Sequence, residues 1–214
     1  MNRIETEADI AVALDELVLS DPRLQVVREQ AGRVDLRRSK PGLISLASVI
    51  VSQQVSRASA QAILGRLMQS VDPFTPAQVL ANGIDALIST GLSRAKQRTL
   101  LALAASLHEG RLDLQSLSDL PSEGAIAELT ALPGIGPWTA EVYLLTAAGH
   151  PDVFPAGDVA LQAAVGQAFR LEGRPDSRNL AIIADTWRPW RSVAARLFWA
   201  YYREMRGREA APIA

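Results

Sequence analysis

Two stretches hold the residues of this chain best suited to chemistry. The first is Leu132-Pro133-Gly134-Ile135-Gly136-Pro137-Trp138-Thr139-Ala140, and the second is Phe154-Pro155-Ala156-Gly157-Asp158. Glycines at i and i+2 in an apolar turn, with a proline just inside the next helix, predict a hairpin between two helices whose second N-terminus is open. The first N–H groups of a helix lack internal partners and carry partial positive charge, so a phosphate oxygen is a natural ligand there. Thr139 can add a hydroxyl beside that helix start. Asp158 stands at the start of a further helix, where a carboxylate serves either as an N-cap or as a fixed anion for chemistry. The chain has no cysteine, and its two histidines, His108 and His150, lie far apart. Thiolate nucleophiles, disulfides and cysteine metal sites are excluded, so any catalysis rests on carboxylates.

Helices must position both stretches. Thr6 with Asp9 reads as a capped start, and Ile10, Leu14 and Leu17 give the helix one apolar stripe. Asp21-Pro22 starts a second helix that Gly32 stops. Pro41 opens a third, with Leu43, Leu46, Ala47 and Ile50 on one face, and Ser52-Gln53-Gln54-Val55-Ser56 breaks it before a fourth capped by Ser56. Thr75-Pro76 and Gly83 start short helices, and Ser93 caps a longer one carrying Leu100, Leu103, Ala104 and Leu107. Pro121 starts the helix entering the hairpin and Pro137 the helix leaving it. Beyond Asp158, Ser177 reads as a cap and Pro189 as the opening of a last helix with Val193, Ala194, Leu197, Phe198 and Tyr201 inward. Period-two alternation is nowhere sustained. The pattern predicts an all-α fold of ten or eleven helices with short connections.

At 214 residues and 48% hydrophobic, the chain can bury a full core as one domain or two small ones. A net charge of −1 argues against coating nucleic acid by bulk electrostatics. Its distribution is uneven: acid gathers before Asp21, whereas base gathers in Arg33 to Lys40, in Arg94, Lys96 and Arg98, and from Arg188 to Arg208. A basic side is compatible with DNA binding, although such faces also serve simply to solvate helices. No apolar run reaches the ~20 residues of a membrane helix, and the first residues lack a signal-peptide core. No membrane association and a cytoplasmic location are expected, with nucleoid association in a bacterium.

The hairpin, with Gly157-Asp158 beyond it, resembles the helix-hairpin-helix DNA glycosylase superfamily. Three motifs in order, Ser52-Gln53-Gln54-Val55-Ser56, Gly134-Ile135-Gly136-Pro137-Trp138-Thr139-Ala140 and Trp187-Arg188-Pro189-Trp190-Arg191-Ser192, look like 3-methyladenine DNA glycosylase II, the alkylation-repair branch. The likeness covers roughly residues 35 to 205, and the three motifs are specific together where one alone is weak. The extra N-terminal β-domain of some members is not expected here, and the chain resembles the compact members.

The resemblance implies that Asp158 is the catalytic carboxylate. Breaking the bond from C1′ to a base leaves an oxocarbenium-like sugar that a fixed anion stabilises, and an alkylated, cationic base leaves without a strong general acid. Leu132, Gly134, Ile135, Gly136 and Thr139 are implied to hold the DNA backbone. Gln53 and Gln54 fall at the loop that fills the gap left by a flipped base, Gln54 at the wedge position; the residues alone also fit a polar loop between helices. Trp138 and Trp199 match base-pocket positions, with Tyr143 and Phe154 close by in sequence, while core packing remains the alternative for each. Trp187 and Trp190 are assigned to packing. Val142 replaces a tyrosine found in some relatives, which implies a different pocket floor. Bifunctional members place a lysine where Trp138 stands, and Lys40 and Lys96, the only lysines, do not fall near the hairpin or Asp158 in sequence. A monofunctional enzyme that leaves an abasic site is implied, with no required cofactor. Family members also bind a monovalent cation on hairpin carbonyls, which implies Na⁺ or K⁺ near Leu132 and Ile135.

The expected partner is double-stranded DNA containing alkylated bases, bound by a monomer. The expected architecture is two helical subdomains with a DNA- and base-binding cleft between them. One is residues 1–35 with 150–214, carrying Asp158, and the other is residues 36–149, carrying the hairpin. A non-catalytic helix-hairpin-helix DNA-binding module and a helical scaffold without nucleic acid are the competing readings.

Overall fold

A computed structural model of the chain describes residues 3–207 and Pro212. Eleven α-helices and no strand occur among the described residues. They are α1 (Glu7–Ser20), α2 (Leu24–Ala31), α3 (Leu43–Ser52), α4 (Arg57–Ser70), α5 (Pro76–Ile88), α6 (Arg94–His108), α7 (Ser122–Thr130), α8 (Pro137–Tyr143), α9 (Val159–Ala168), α10 (Ser177–Ala184) and α11 (Arg191–Arg206). The chain divides into two compact units. A terminal unit joins the residues up to Arg38 with those from Gly149 onward, and a hairpin unit comprises Ser39–Ala148.

In the hairpin unit α3 packs on α4, α6 and α8, and α7 packs on α8. Most of α3 is buried, Leu46, Val49, Ile50 and Val51 completely, because a helix contacted on several sides needs more than one apolar stripe. Ser56 and Ser93 cap α4 and α6 as expected, each accepting from a backbone N–H three residues on. Gly83 has φ +61 and breaks α5 into the two short pieces foreseen from the sequence. After Tyr143 the backbone of α8 loosens into one π-helical turn, Leu144–Ala148, where the Thr146 hydroxyl donates to the Val142 carbonyl at 2.7 Å.

In the terminal unit α11 packs on α2, α9 and α1. Thr6 and Asp9 form the capping box their spacing predicts. Two expected boundaries shift. Asp176, not Ser177, caps α10, accepting from the Asn179 N–H at 2.7 Å, and α11 begins at Arg191, past Pro189. The core centres on Trp187, which is fully buried and contacts Phe154, Phe169 and Phe198 with ring centroids 5.4, 6.1 and 5.1 Å away. Its indole N–H donates to Asp21 Oδ2 at 3.0 Å, and Arg23 pairs with both carboxylate oxygens at 2.7 and 2.8 Å. Burial pushes the Asp21 carboxyl up, but the hydrogen bonds from Arg23 and Trp187 and the Arg23 charge outweigh it and hold the group below the ordinary aspartate range. Trp190 donates to Glu16, tying α1 to the start of α11.

The chain ahead of α3 joins this unit through Arg196. Its guanidinium, completely enclosed, donates to the Leu36 carbonyl at 2.9 Å and to the Ser192 carbonyl at 3.1 Å. Burial, with the charges of Arg38 and Arg37, pushes its pKa down to about 9. Residues 36–38 therefore group with α11, whereas the sequence pattern ends the N-terminal segment at 35.

Candidate active site and nucleic-acid interface

The hairpin turn follows from its four central residues. The Ile135 N–H donates to the Leu132 carbonyl at 3.2 Å, Pro133 occupies the second turn position and Gly134 the third with φ +83, the arrangement of a type II turn. A side chain at Gly134 is barred twice: by that φ, and by Thr99, whose hydroxyl a Cβ would overlap. Gly136 differs. Its φ is −93 and the space around it is open, so its role is that of an uncluttered helix start and not of a forced conformation. Pro137 fills N1 of α8, and no side chain caps that helix. Gly134 and Gly136 are exposed, Leu132 is half-buried and Ile135 is buried, anchoring the turn.

Thr139, expected to present its hydroxyl beside the start of α8, is 2% exposed, and its Oγ1 accepts from Gln53 Nε2 at 2.8 Å. Gln53 is turned toward the hairpin, its amide also reaching the Gly134 carbonyl at 3.4 Å. A side chain with both donors and acceptors suits this bridge between two polar backbone turns. Gln54 remains at the tip. It is exposed and has φ +55, a left-handed conformation uncommon for a residue with a side chain.

Lys96 explains how that tip is held. Its Nζ donates to the Val51 carbonyl at 2.9 Å and to the Gln53 carbonyl at 2.7 Å, closing the C-terminus of α3, where carbonyls lack helical partners. Burial pushes its ammonium below the ordinary lysine range. Lys96 is one turn before Thr99 on α6, so it does come beside the hairpin, contrary to the expectation from its distance in sequence. Spacing alone gives no sign of this, because the contact joins residues from three separate helices.

Asp158 is both an N-cap and a buried carboxylate. It is 8% exposed, and its Oδ1 accepts from the N–H groups of Ala160 at 2.9 Å and Leu161 at 3.1 Å. Trp199, 2% exposed on α11, directs its indole N–H at the same oxygen from 3.4 Å. A buried carboxylate needs such donors, and here they fix its orientation. Three braces that the sequence did not reveal hold the segment leading to it. Gln162 Nε2 donates to the Ala156 carbonyl at 2.9 Å. Ser192 Oγ accepts the Val153 N–H at 3.1 Å and lies 3.0 Å from the Val153 carbonyl, while Arg191 clasps Asp152 through a 2.6 Å ion pair. Asp158 and Trp199 thus belong to one rigidly tied piece of the terminal unit.

The four aromatic residues expected at a base pocket separate. Trp138, at N2 of α8, is half-buried. Trp199 lies on Asp158 as described. Tyr143 is fully buried, its hydroxyl accepting the Gly42 N–H at 3.1 Å, and Phe154 is 5% exposed against Trp187. These last two are buried in the core, although they lie beside the motifs along the chain. Val142 is fully buried as well.

A family model, HhH-GPD superfamily base excision DNA repair protein, matches residues 47–191, a span that takes in Gln53 and Gln54, the hairpin and Asp158. The chain belongs to the HhH-GPD superfamily. Within it, the probable bifunctional transcriptional activator/DNA repair enzyme AlkA of Mycobacterium tuberculosis is 33% identical over 202 residues, covering 87% of this chain and 39% of that protein. DNA-3-methyladenine glycosylase 2 of Escherichia coli is 28% identical over 193 residues, covering 82% and 65%. This chain accordingly spans less than half the length of the mycobacterial relative. Among solved structures, DNA-3-methyladenine glycosidase from Bacillus halodurans matches with a TM-score of 0.80 at 30% identity over 98% of this chain and 95% of that one. The 3-methyladenine DNA glycosylase of Schizosaccharomyces pombe in complex with abasic DNA shares the fold, with a TM-score of 0.79 at 24% identity over 89% and 95%. No helix among the described residues is long and apolar enough to cross a membrane.

Proposed function

We propose that this chain is a monofunctional DNA glycosylase of base excision repair, hydrolysing the N-glycosidic bond of alkylated purines flipped out of duplex DNA. The observation that carries the reading is Asp158: a buried carboxylate oriented by two backbone N–H groups and an indole, on the family's matched segment. Relatives named for 3-methyladenine support that lesion as a substrate, and 7-methylguanine, likewise a cationic methylated purine, is proposed beside it.

The chemistry asks little of other groups. A methylated purine is cationic, so it departs with the bonding electron pair as a neutral base, and positive charge develops on the sugar. The Asp158 carboxylate stabilises that charge and orients water toward C1′; water adds its oxygen there and releases a proton. Half-buried Trp138 offers an electron-rich indole to the cationic base, an attraction of ~2 kcal/mol when desolvated, while Trp199 orients the carboxylate. Gly134 to Gly136 and the uncapped start of α8 hold a phosphate, and exposed Gln54 fills the gap left in the stack. Flipping costs a few kcal/mol, least for a weakly paired base.

Strand cleavage is not part of the proposed activity. An amine nucleophile is needed for it, and Lys96 is committed to two backbone carbonyls, while Trp138 stands where bifunctional relatives carry lysine. The reading includes a monovalent cation, Na⁺ or K⁺, on the carbonyls of Leu132 and Ile135: those oxygens are neutral, and the Leu132 carbonyl retains a lone pair beyond its turn hydrogen bond. The protein acts as a monomer in the compartment that holds the DNA.

The test is release of free base from methylated duplex DNA by wild type and by Asp158→Asn. Release by wild type with a loss of about 100-fold or more in the variant is expected. Equal rates would remove Asp158 from the mechanism. Release by neither, with salt-sensitive duplex binding retained, would identify a non-catalytic DNA-binding module instead.

A further inference from the structure

We infer that Lys96 is a positioning residue for base flipping, holding Gln54 in its strained, solvent-facing conformation and locking the wedge loop to the hairpin. The inference rests on the proposed glycosylase reading and names the device by which one of its parts is set.

Three observations carry it. The Lys96 Nζ binds the carbonyls of Val51 and Gln53, which bracket the end of α3 immediately before Gln54. Gln54 has φ +55, a strained conformation that persists only where neighbours over-determine it. Gln53, whose carbonyl Lys96 holds, extends its amide to Thr139 Oγ1 and the Gly134 carbonyl. Wedge tip, Lys96 and hairpin turn are thereby joined by hydrogen bonds through a single residue. Thr99 completes the junction from the same helix as Lys96, filling the space that a side chain at Gly134 would occupy.

The physical consequence is preorganisation. A loop that must enter a base stack loses less entropy if its conformation is set beforehand. A hairpin gripping a phosphate presents that loop at a fixed distance along the duplex only if the two move as one piece. A lysine is suited to this: its three donors satisfy several helix-end carbonyls at once, and its cationic end favours the negative pole of α3. No contact between Lys96 and DNA is required.

The experiment compares excision of 7-methylguanine by the full chain from two duplexes. In one the lesion faces cytosine, and in the other it faces an abasic site, so that unstacking is already half accomplished. Lys96→Met, Lys96→Arg and Gln54→Ala are measured beside wild type, with thermal unfolding to confirm folding and 2-aminopurine fluorescence next to the lesion to report flipping. For Lys96→Met the loss on the paired lesion is expected to exceed the loss on the unpaired lesion by about tenfold or more. A matching drop in the flipping signal is expected, with both restored in large part by Lys96→Arg, which keeps a donor for the carbonyls. An equal loss on the two duplexes, no loss on either, or a normal flipping signal overturns the inference. Gln54→Ala separates the two levels: if it excises the paired lesion like wild type, the wedge reading fails together with the role of Lys96. If it is impaired while Lys96→Met is not, only the role of Lys96 fails.

Discussion

Trp199 aims its indole N–H at Asp158 Oδ1 from 3.4 Å, so that the side chain expected to stack on a base also touches the expected catalytic carboxylate. At that length the hydrogen bond is weak. Trp199→Phe keeps most of the buried volume and removes the donor. Base release is expected to slow by about fivefold, equivalent to ~1 kcal/mol, in the single-turnover rate constant. A larger effect on substrate affinity than on that rate constant would assign Trp199 to stacking alone.

Asp158 carries a structural duty that can be separated from its chemistry. Asparagine retains an acceptor for the Ala160 and Leu161 N–H groups, whereas alanine retains none. Asp158→Asn is therefore expected to unfold within ~0.5 kcal/mol of wild type, and Asp158→Ala about 1 kcal/mol lower, in urea titrations. Both are expected to be equally poor at releasing base.

The two hairpin glycines are expected to behave differently. Gly134→Ala meets Thr99 and an unfavourable φ, and it should destabilise the protein by ~1–3 kcal/mol. Gly136→Ala meets open space at φ −93 and should change stability by less than ~0.5 kcal/mol. A thermal shift of the same size for both would contradict the distinction.

Acid should expose the contribution of Asp21. Its carboxyl is held below the ordinary range, so its stabilising effect is complete above the unfolded-state pKa of about 3.9 and fades as pH falls through the lower folded value. Wild type is expected to exceed Asp21→Asn by roughly 1–3 kcal/mol at pH 6. The gap should narrow below about pH 4, as measured by denaturant midpoints at both pH values; Asp9, also lowered, affects both proteins alike.

What could be read from the chain without coordinates was local. The capping box at Thr6, the caps at Ser56 and Ser93, the break at Gly83 and the turn at Pro133-Gly134 are each decided by residues within a few positions of one another. Asp158 was legible as a cap on the same terms, and only the combination of three motifs raised it to a proposed catalyst. Side-chain direction was not legible. Tyr143, Phe154 and Thr139 sit beside the motifs in sequence, yet the helices and turns that carry them point them inward, to Gly42, Trp187 and Gln53. Lys96, Gln162 and Ser192 escaped notice for the complementary reason. Their partners are backbone atoms, which have no residue type to recognise, and for Lys96 and Ser192 those atoms lie some forty positions away.

The fit of Gly134 against Thr99, and of Thr139 against Gln53, bears on portability. The residues that shape the hairpin turn lie outside it, on α6 and at the end of α3. A graft of residues 122–143 onto another helical scaffold would carry the motif's letters without the surfaces that mould it. Transfer of duplex binding to a new protein should therefore require α3, α6 and the hairpin together, which makes the transplantable unit a three-part assembly and not the motif.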